Sequence, residues 1–129
     1  MAVQVDARAV GNLDGNHGIY CGYDGGSYYV FRVSNGWYAL HRRDPSTASW
    51  SATIPWKSSA AVLGGRQTNH LKVTKAGTLL SLYANGQLLA QRSDVAVGVG
   101  GVGLAAASVS PDYEARFDNF RIEYTVATK

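Results

Sequence analysis

The sequence predicts an all-β fold of antiparallel strands, a sandwich or barrel, and three observations point there. Helical periodicity is hard to find anywhere in the 129 residues. Period-2 runs recur instead, bounded by Gly, Asn, Asp, Ser or Pro at the spacing of a sandwich or barrel. Two Asn-Gly pairs, Asn35-Gly36 and Asn85-Gly86, sit between such runs and suit the left-handed angles of two-residue type I′ hairpins.

Strands are expected over 2–10, 18–23, 28–34, 37–43, 49–54, 69–75, 78–84, 87–92, 101–107 and 113–124. Met1 leads almost directly into the first. In the second, Ile19, Cys21 and Tyr23 share a face, which makes Cys21 a small buried hydrophobe. A slightly longer turn at Asp24-Gly25-Gly26 leads to the third.

The turn at Asn35-Gly36 pairs Ser34 with Trp37, Val33 with Tyr38, Phe31 with Leu40 and Tyr29 with Arg42. Tyr29, Phe31, Val33, Tyr38 and Leu40 then form a core face. The opposite face carries Tyr28, Val30, Arg32, Trp37, Ala39, His41 and Arg43, and the preceding strand adds Tyr20 and Gly22. It is aromatic and cationic together.

In the segment ASWSATIPWKSS a strand is expected to end in a loop at Pro55. Trp50 alternates with apolar positions and reads as a cap on the sandwich. Trp56, between Pro55 and Lys57, reads as an exposed loop residue. In the second Asn-Gly hairpin, Leu80, Leu82 and Leu89 share one side and Leu79, Tyr83 and Leu88 the other. Periodicity leaves open whether the second side is covered or faces a partner. At the end, Ala115 and Phe117 lie opposite Glu114, Arg116 and Asp118. A bulge near Asp118-Asn119 is expected to return Phe120 and Ile122 to the core.

The totals are those of one soluble globular domain over residues 1–129, with 46% hydrophobic and 16% charged residues. No apolar run approaches the roughly 18 residues of a membrane helix, and no secretion signal is visible. The net charge of +3 is small and scattered apart from His41-Arg42-Arg43, which argues against a nucleic-acid partner. One cysteine excludes an internal disulfide.

The phrases YYVFRVSNGWYAL, NHLKV, LLSLYANGQLLA, GGVGLAA and EARFDNFRIEY, in that order, resemble the bacterial concanavalin A-like (laminin-G-like) jelly-roll domains over about residues 3 to 124. The resemblance implies two antiparallel sheets, a concave face that holds sugars in many relatives, and an extracellular or cell-surface setting. Such domains commonly carry an opening strand ahead of the segment matching VQVDARAVG, beside the final FDNFRIEY strand. Its lack here leads to the expectation of a bare edge closed by a homodimer or larger homo-oligomer, or by a separate chain.

Three functions are open. The first is a non-catalytic module binding a glycan or other small polar ligand. Tyr20, Tyr28 and Trp37 would be stacking platforms, Arg32, His41, Glu114 and Arg116 hydroxyl-holding groups, and Trp56 a loop anchor. Against it stand two plainer readings: the rings lie beneath a loop such as 50–59, or form ordinary cross-strand and cation–π pairs. The second function is a structural or assembly domain. The third, a small β-sandwich enzyme, is the weakest. For glycoside hydrolysis, Arg116 between Glu114 and Asp118 would hold both carboxylates ionised where one must donate a proton, and only a cyclase or isomerase that works by enclosing its substrate would leave no motif. No cofactor is expected. A structural calcium is possible from Asp14-Gly15-Asn16, Asp24-Gly25-Gly26, Asp94, Asp112 and Asp118, although these are also the usual turn residues. His17, His41 and His70 are dispersed and give no zinc pattern.

Overall fold

The structure, a computed structural model, describes residues 1–23, 26–93, 95, 100–108 and 112–124. The ten strands are β1 (Ala2–Gly11), β2 (Gly15–Tyr23), β3 (Tyr28–Ser34), β4 (Trp37–Asp44), β5 (Ser49–Ser58), β6 (Asn69–Ala76), β7 (Leu79–Ala84), β8 (Gln87–Arg92), β9 (Gly101–Ser108) and β10 (Tyr113–Glu123). They build two five-stranded antiparallel sheets, a front sheet ordered β5-β4-β3-β2-β9 and a back sheet ordered β10-β1-β6-β7-β8. The all-β antiparallel sandwich is therefore the architecture observed.

Both Asn-Gly turns take the required left-handed backbone, with φ of 44° and 89° at Asn35 and Gly36 and 53° and 80° at Asn85 and Gly86. Every pair expected across the first hairpin is present, from Ser34 with Trp37 to Tyr29 with Arg42. The inward rows of the sheets meet in one core. Val3 and Val5 of β1, Ile19 and Cys21 of β2, Phe31 of β3, Leu40 of β4, Leu71 and Val73 of β6, and Leu80 and Leu82 of β7 are all at most 1% exposed. Burial pushes the Cys21 thiol up to about 12, so it stays protonated and inert.

The connection between β5 and β6 is pinned by three asparagines. Asn69 accepts from the Leu63 amide and donates to its carbonyl (2.8 and 3.0 Å), Asn85 donates to the Ala61 carbonyl, and Asn35 accepts from the Gly65 amide. The turn residues thus serve twice, once for backbone geometry and once as anchors.

Several expectations need correction. The strand containing Trp50 does not end at Pro55 but runs to Ser58. Proline fits there because β5 is an edge strand and its register slips twice against β4, between Tyr38 and Leu40 and between Leu40 and His41. Trp56 is therefore a strand residue. Tyr23 does not point inward with Cys21. Gly22 has φ of 77° and interrupts the β2–β9 pairing, leaving Tyr23 50% exposed. The second hairpin, by contrast, divides as expected, with Leu80 and Leu82 buried and Leu79, Tyr83 and Leu88 facing outward. Leu89 packs on the core at an irregularity between Leu82 and Tyr83.

The bulge near Asp118-Asn119 is present. Asp118 pairs with Asp6 and Arg121 with Gln4, and Asn119 has φ of 56°. It puts Phe120 and Ile122 on the inward side, since Ile122 pairs with buried Val3, yet each remains 39% exposed. They turn toward the core without being covered by it. Strand β10 is a sheet edge, where the bare edge was expected.

Candidate functional site

The outer face of the front sheet is built from rows of paired residues. One row is Ala105, Gly18, Arg32 and Ala39; the next is Gly103, Tyr20, Val30, His41 and Ala52; a third is Tyr28, Arg43 and Trp50. In the first two rows small residues flank the large ones, Gly18 and Ala39 beside Arg32, Gly103 beside Tyr20 and Ala52 beside His41, so these side chains have room to lie across the sheet. Val30 and Ala39 are 2% and 0% exposed although they stand on this outer side, forming a floor beneath the rings and the guanidinium.

The rings make a continuous line. Tyr20, Tyr23 and Tyr28 meet edge to face at centroid distances of 5.3 to 6.2 Å, and Tyr28 meets Trp50 at 6.1 Å. Farther along, His41 meets the edge of Trp56 at 5.6 Å. Glycine is needed under one end: a Cβ at Gly103 would lie 2.5 Å from the Tyr20 ring. Trp37, Trp50 and Trp56 keep 48%, 46% and 38% of their surface in solvent, which makes three open indoles on one face.

Arg32 lies among these rings. Its guanidinium carbon is 4.3 Å from the Trp50 ring centroid, with that of Arg43 at 5.3 Å from the same ring. Arg32 Nη1 donates to Asn16 Oδ1 at 3.1 Å, while Nε is buried with no acceptor among the described residues. Burial lowers the Arg32 pKa, and burial together with the nearby Arg32 charge lowers that of His41.

Three hollows indent the face. One of about 360 Å³ is lined by Arg32, His41, Trp50, Ser51 and Ala52. One of about 440 Å³ includes Asp14, Asn16, Trp37 and Trp56 in its wall, and one of about 220 Å³ lies among Tyr20, Tyr23 and Tyr28.

The structure thus brings together six of the eight candidate residues: Tyr20, Tyr28, Arg32, Trp37, His41 and Trp56. It separates the other two. Glu114 and Arg116 belong to β10 of the back sheet, paired with Val10 and Arg8, on the side away from the core. They ion-pair with each other at 3.2 Å, both well exposed. Alternation along β10 assigns them correctly to its outer side, but that side looks out from the opposite surface of the sandwich.

Two contributors were missed. Trp50 is no cap: it pairs with Arg43 across β4 and β5 and lies open on the face. Its alternation with Ala52 and the run of outward residues on β4 were the available signal. Tyr23 reaches the face only through the break at Gly22, which alternation hides. The alternative in which 50–59 folds over the rings does not hold, because that segment joins the sheet at its edge.

Among the described residues no three His, Cys, Asp or Glu side chains converge to hold a metal. Asp14 belongs to a turn in which its amide donates to Asn12, and Asp118 caps the Asn119 amide. Asp24, Gly25 and Asp94 lie outside the described residues.

No protein-family model matches the chain, and no curated protein does. Among solved structures, the carbohydrate binding module CBM66 from Bacillus subtilis is similar in fold, with a TM-score of 0.61 and 18% identity, over 92% of this chain and 73% of that one. At that identity the likeness is one of architecture: a two-sheet all-β sandwich shared with a carbohydrate-binding module.

Proposed function

We propose that this chain is a non-catalytic, concanavalin A-like module that binds glycan on the outer face of its front sheet. One observation carries the reading: three half-open indoles share a strand face with Tyr20, Tyr28, Arg32 and His41. A sugar ring offers an apolar C–H face edged by hydroxyls. It is matched by flat aromatic surfaces beside fixed polar groups, and exposing so many rings on a soluble domain otherwise brings an aggregation risk. The similarity in fold to a carbohydrate-binding module supports the reading.

A glycan array tests it. Saturable binding to a defined class of oligosaccharide, lost in Trp37→Ala or Trp50→Ala with the fold intact by circular dichroism, is the expected result. Silence across the array overturns it, and turnover of a bound glycan overturns its non-catalytic part.

The second reading is assembly through the β10 edge. It is favoured by Phe120, Ile122 and Tyr124, which are 39%, 39% and 66% exposed at that edge. Sedimentation in dilute solution decides it, since a stable monomer removes the reading.

A further inference from the structure

The charges on the front face are all of one sign. Among the described residues whose side chains stand on it, Arg32 and Arg43 are cationic, His41 is titratable, and none is Asp or Glu. The carboxylate that reaches a front-face hollow is Asp14, and it lines the separate one beside Trp37 and Trp56. Arg43 spends one Nη on the Ala48 carbonyl at 3.0 Å. Among the described residues Arg32 has only the neutral amide oxygen of Asn16, and its buried Nε meets no acceptor there. A half-buried guanidinium without an anionic partner is costly unless something else supplies the charge. Arg32 also opens into a hollow walled by an exposed indole and an imidazole.

The geometry points to an acidic glycan as the ligand: a sugar ring lies against Trp50 and His41 while its carboxylate or sulfate oxygens accept from Arg32. This rests on the glycan-binding reading and narrows it. Arginine suits the task because its planar fork matches a two-oxygen anion, and its stacking against Trp50 fixes the plane before the ligand arrives. Asn16 holds the far Nη1 in place. Neutral sugars would find the same rings, and their hydroxyls could accept from the guanidinium, but they would bring no counter-charge to it.

The test uses the intact protein and three sets of probes in titration calorimetry. These are short uronate oligosaccharides of the galacto, manno and gulo series, the same chains methyl-esterified, and sulfated galactan oligomers. Acidic chains of at least one type are expected to bind about tenfold or more tightly than the esterified ones, the scale of one charge-assisted hydrogen bond. Preference for uronates or for sulfated chains tells which oxyanion is read. Arg32→Gln is expected to abolish the difference, and Arg116→Gln, on the back sheet, to preserve it. Should Arg32→Gln misfold, the wild type still decides: the acidic ligand must shift the Trp50 indole N–H resonance in NMR. Esterified chains binding as well as acidic ones overturn the inference, as does an acidic ligand that leaves Trp50 unmoved. Neutral chains binding where no acidic chain does overturn it while leaving the glycan reading intact. Binding of no glycan of any kind brings both down.

Discussion

The guanidinium of Arg32 and the indole of Trp50 stack at 4.3 Å across an intervening strand, β4, whose residue in the Arg32 row is only Ala39. A larger residue at 39 would separate them, so the pair depends on that small side chain. The stack should be measurable without any ligand. Trp50→Ala and Arg32→Gln each lower the urea midpoint. Their double-mutant cycle is expected to show coupling of about 0.5–1 kcal/mol, the range for a partly exposed cation–π pair. Strict additivity would mean that the two groups lie side by side without interacting.

His41 reports on the same charge. Its pKa lies below the ordinary histidine value, first because of burial and second because of Arg32. Removing the charge in Arg32→Gln should move the NMR titration midpoint of His41 upward. It should stop short of the ordinary value, since the larger cause remains. An anion seated on Arg32 should act in the same direction. An unmoved midpoint in the variant would show that Arg32 does not act on the imidazole.

Gly103 should prove necessary for the tyrosine end of the face. A methyl group there would lie 2.5 Å from the Tyr20 ring, so Gly103→Ala must push that ring away from β9. The atoms met are the outer end of a half-buried side chain that can swing aside, so the expected cost in stability is small, within about 1 kcal/mol. Altered ring-current shifts should appear on Tyr23 and Tyr28, which touch Tyr20. A wild-type spectrum in the variant would rule out this packing.

Much of this face was legible in the chain because one turn type has one geometry. Asn35-Gly36 sets the β3–β4 register, and the register sorts Arg32, Trp37 and His41 from Phe31, Tyr38 and Leu40. Legibility stopped at two interruptions of the pairing, although the bulge at Asp118-Asn119 could be read. Gly22 turns Tyr23 over, and the slips beside Leu40 carry Pro55 and Trp56 along an edge strand that reads as a loop. Glu114 and Arg116 illustrate a different limit. Alternation tells which side of its own sheet a residue occupies, and only the strand order tells which sheet that is. The order places β10 beside β1, a pairing more than a hundred residues apart that no local pattern encodes.

The clearest stability prediction concerns His17, on the buried side of β2. It is 4% exposed, hydrogen-bonded through Nδ1 to the Tyr113 hydroxyl at 2.5 Å and edge-on to Phe117, and its buried Nε2 meets no partner. Burial lowers its pKa from 6.5 to about 4. Because the folded pKa is depressed, the unfolded chain binds the proton first as pH falls. Stability is therefore fully present above about pH 6.5 and is lost between there and about pH 4. The loss from this one group approaches about 3 kcal/mol at its limit. His41 contributes in the same sense, whereas the lowered carboxyls of Asp6 and Asp44 act only at lower pH. His17→Phe removes the titrating ring and leaves Tyr113 neutral, its own pKa being raised to about 12 by burial. Urea denaturation across this window should then show a much shallower fall in the variant than in the wild type. Equal slopes would mean that His17 takes up its proton in the folded protein as readily as in the unfolded chain.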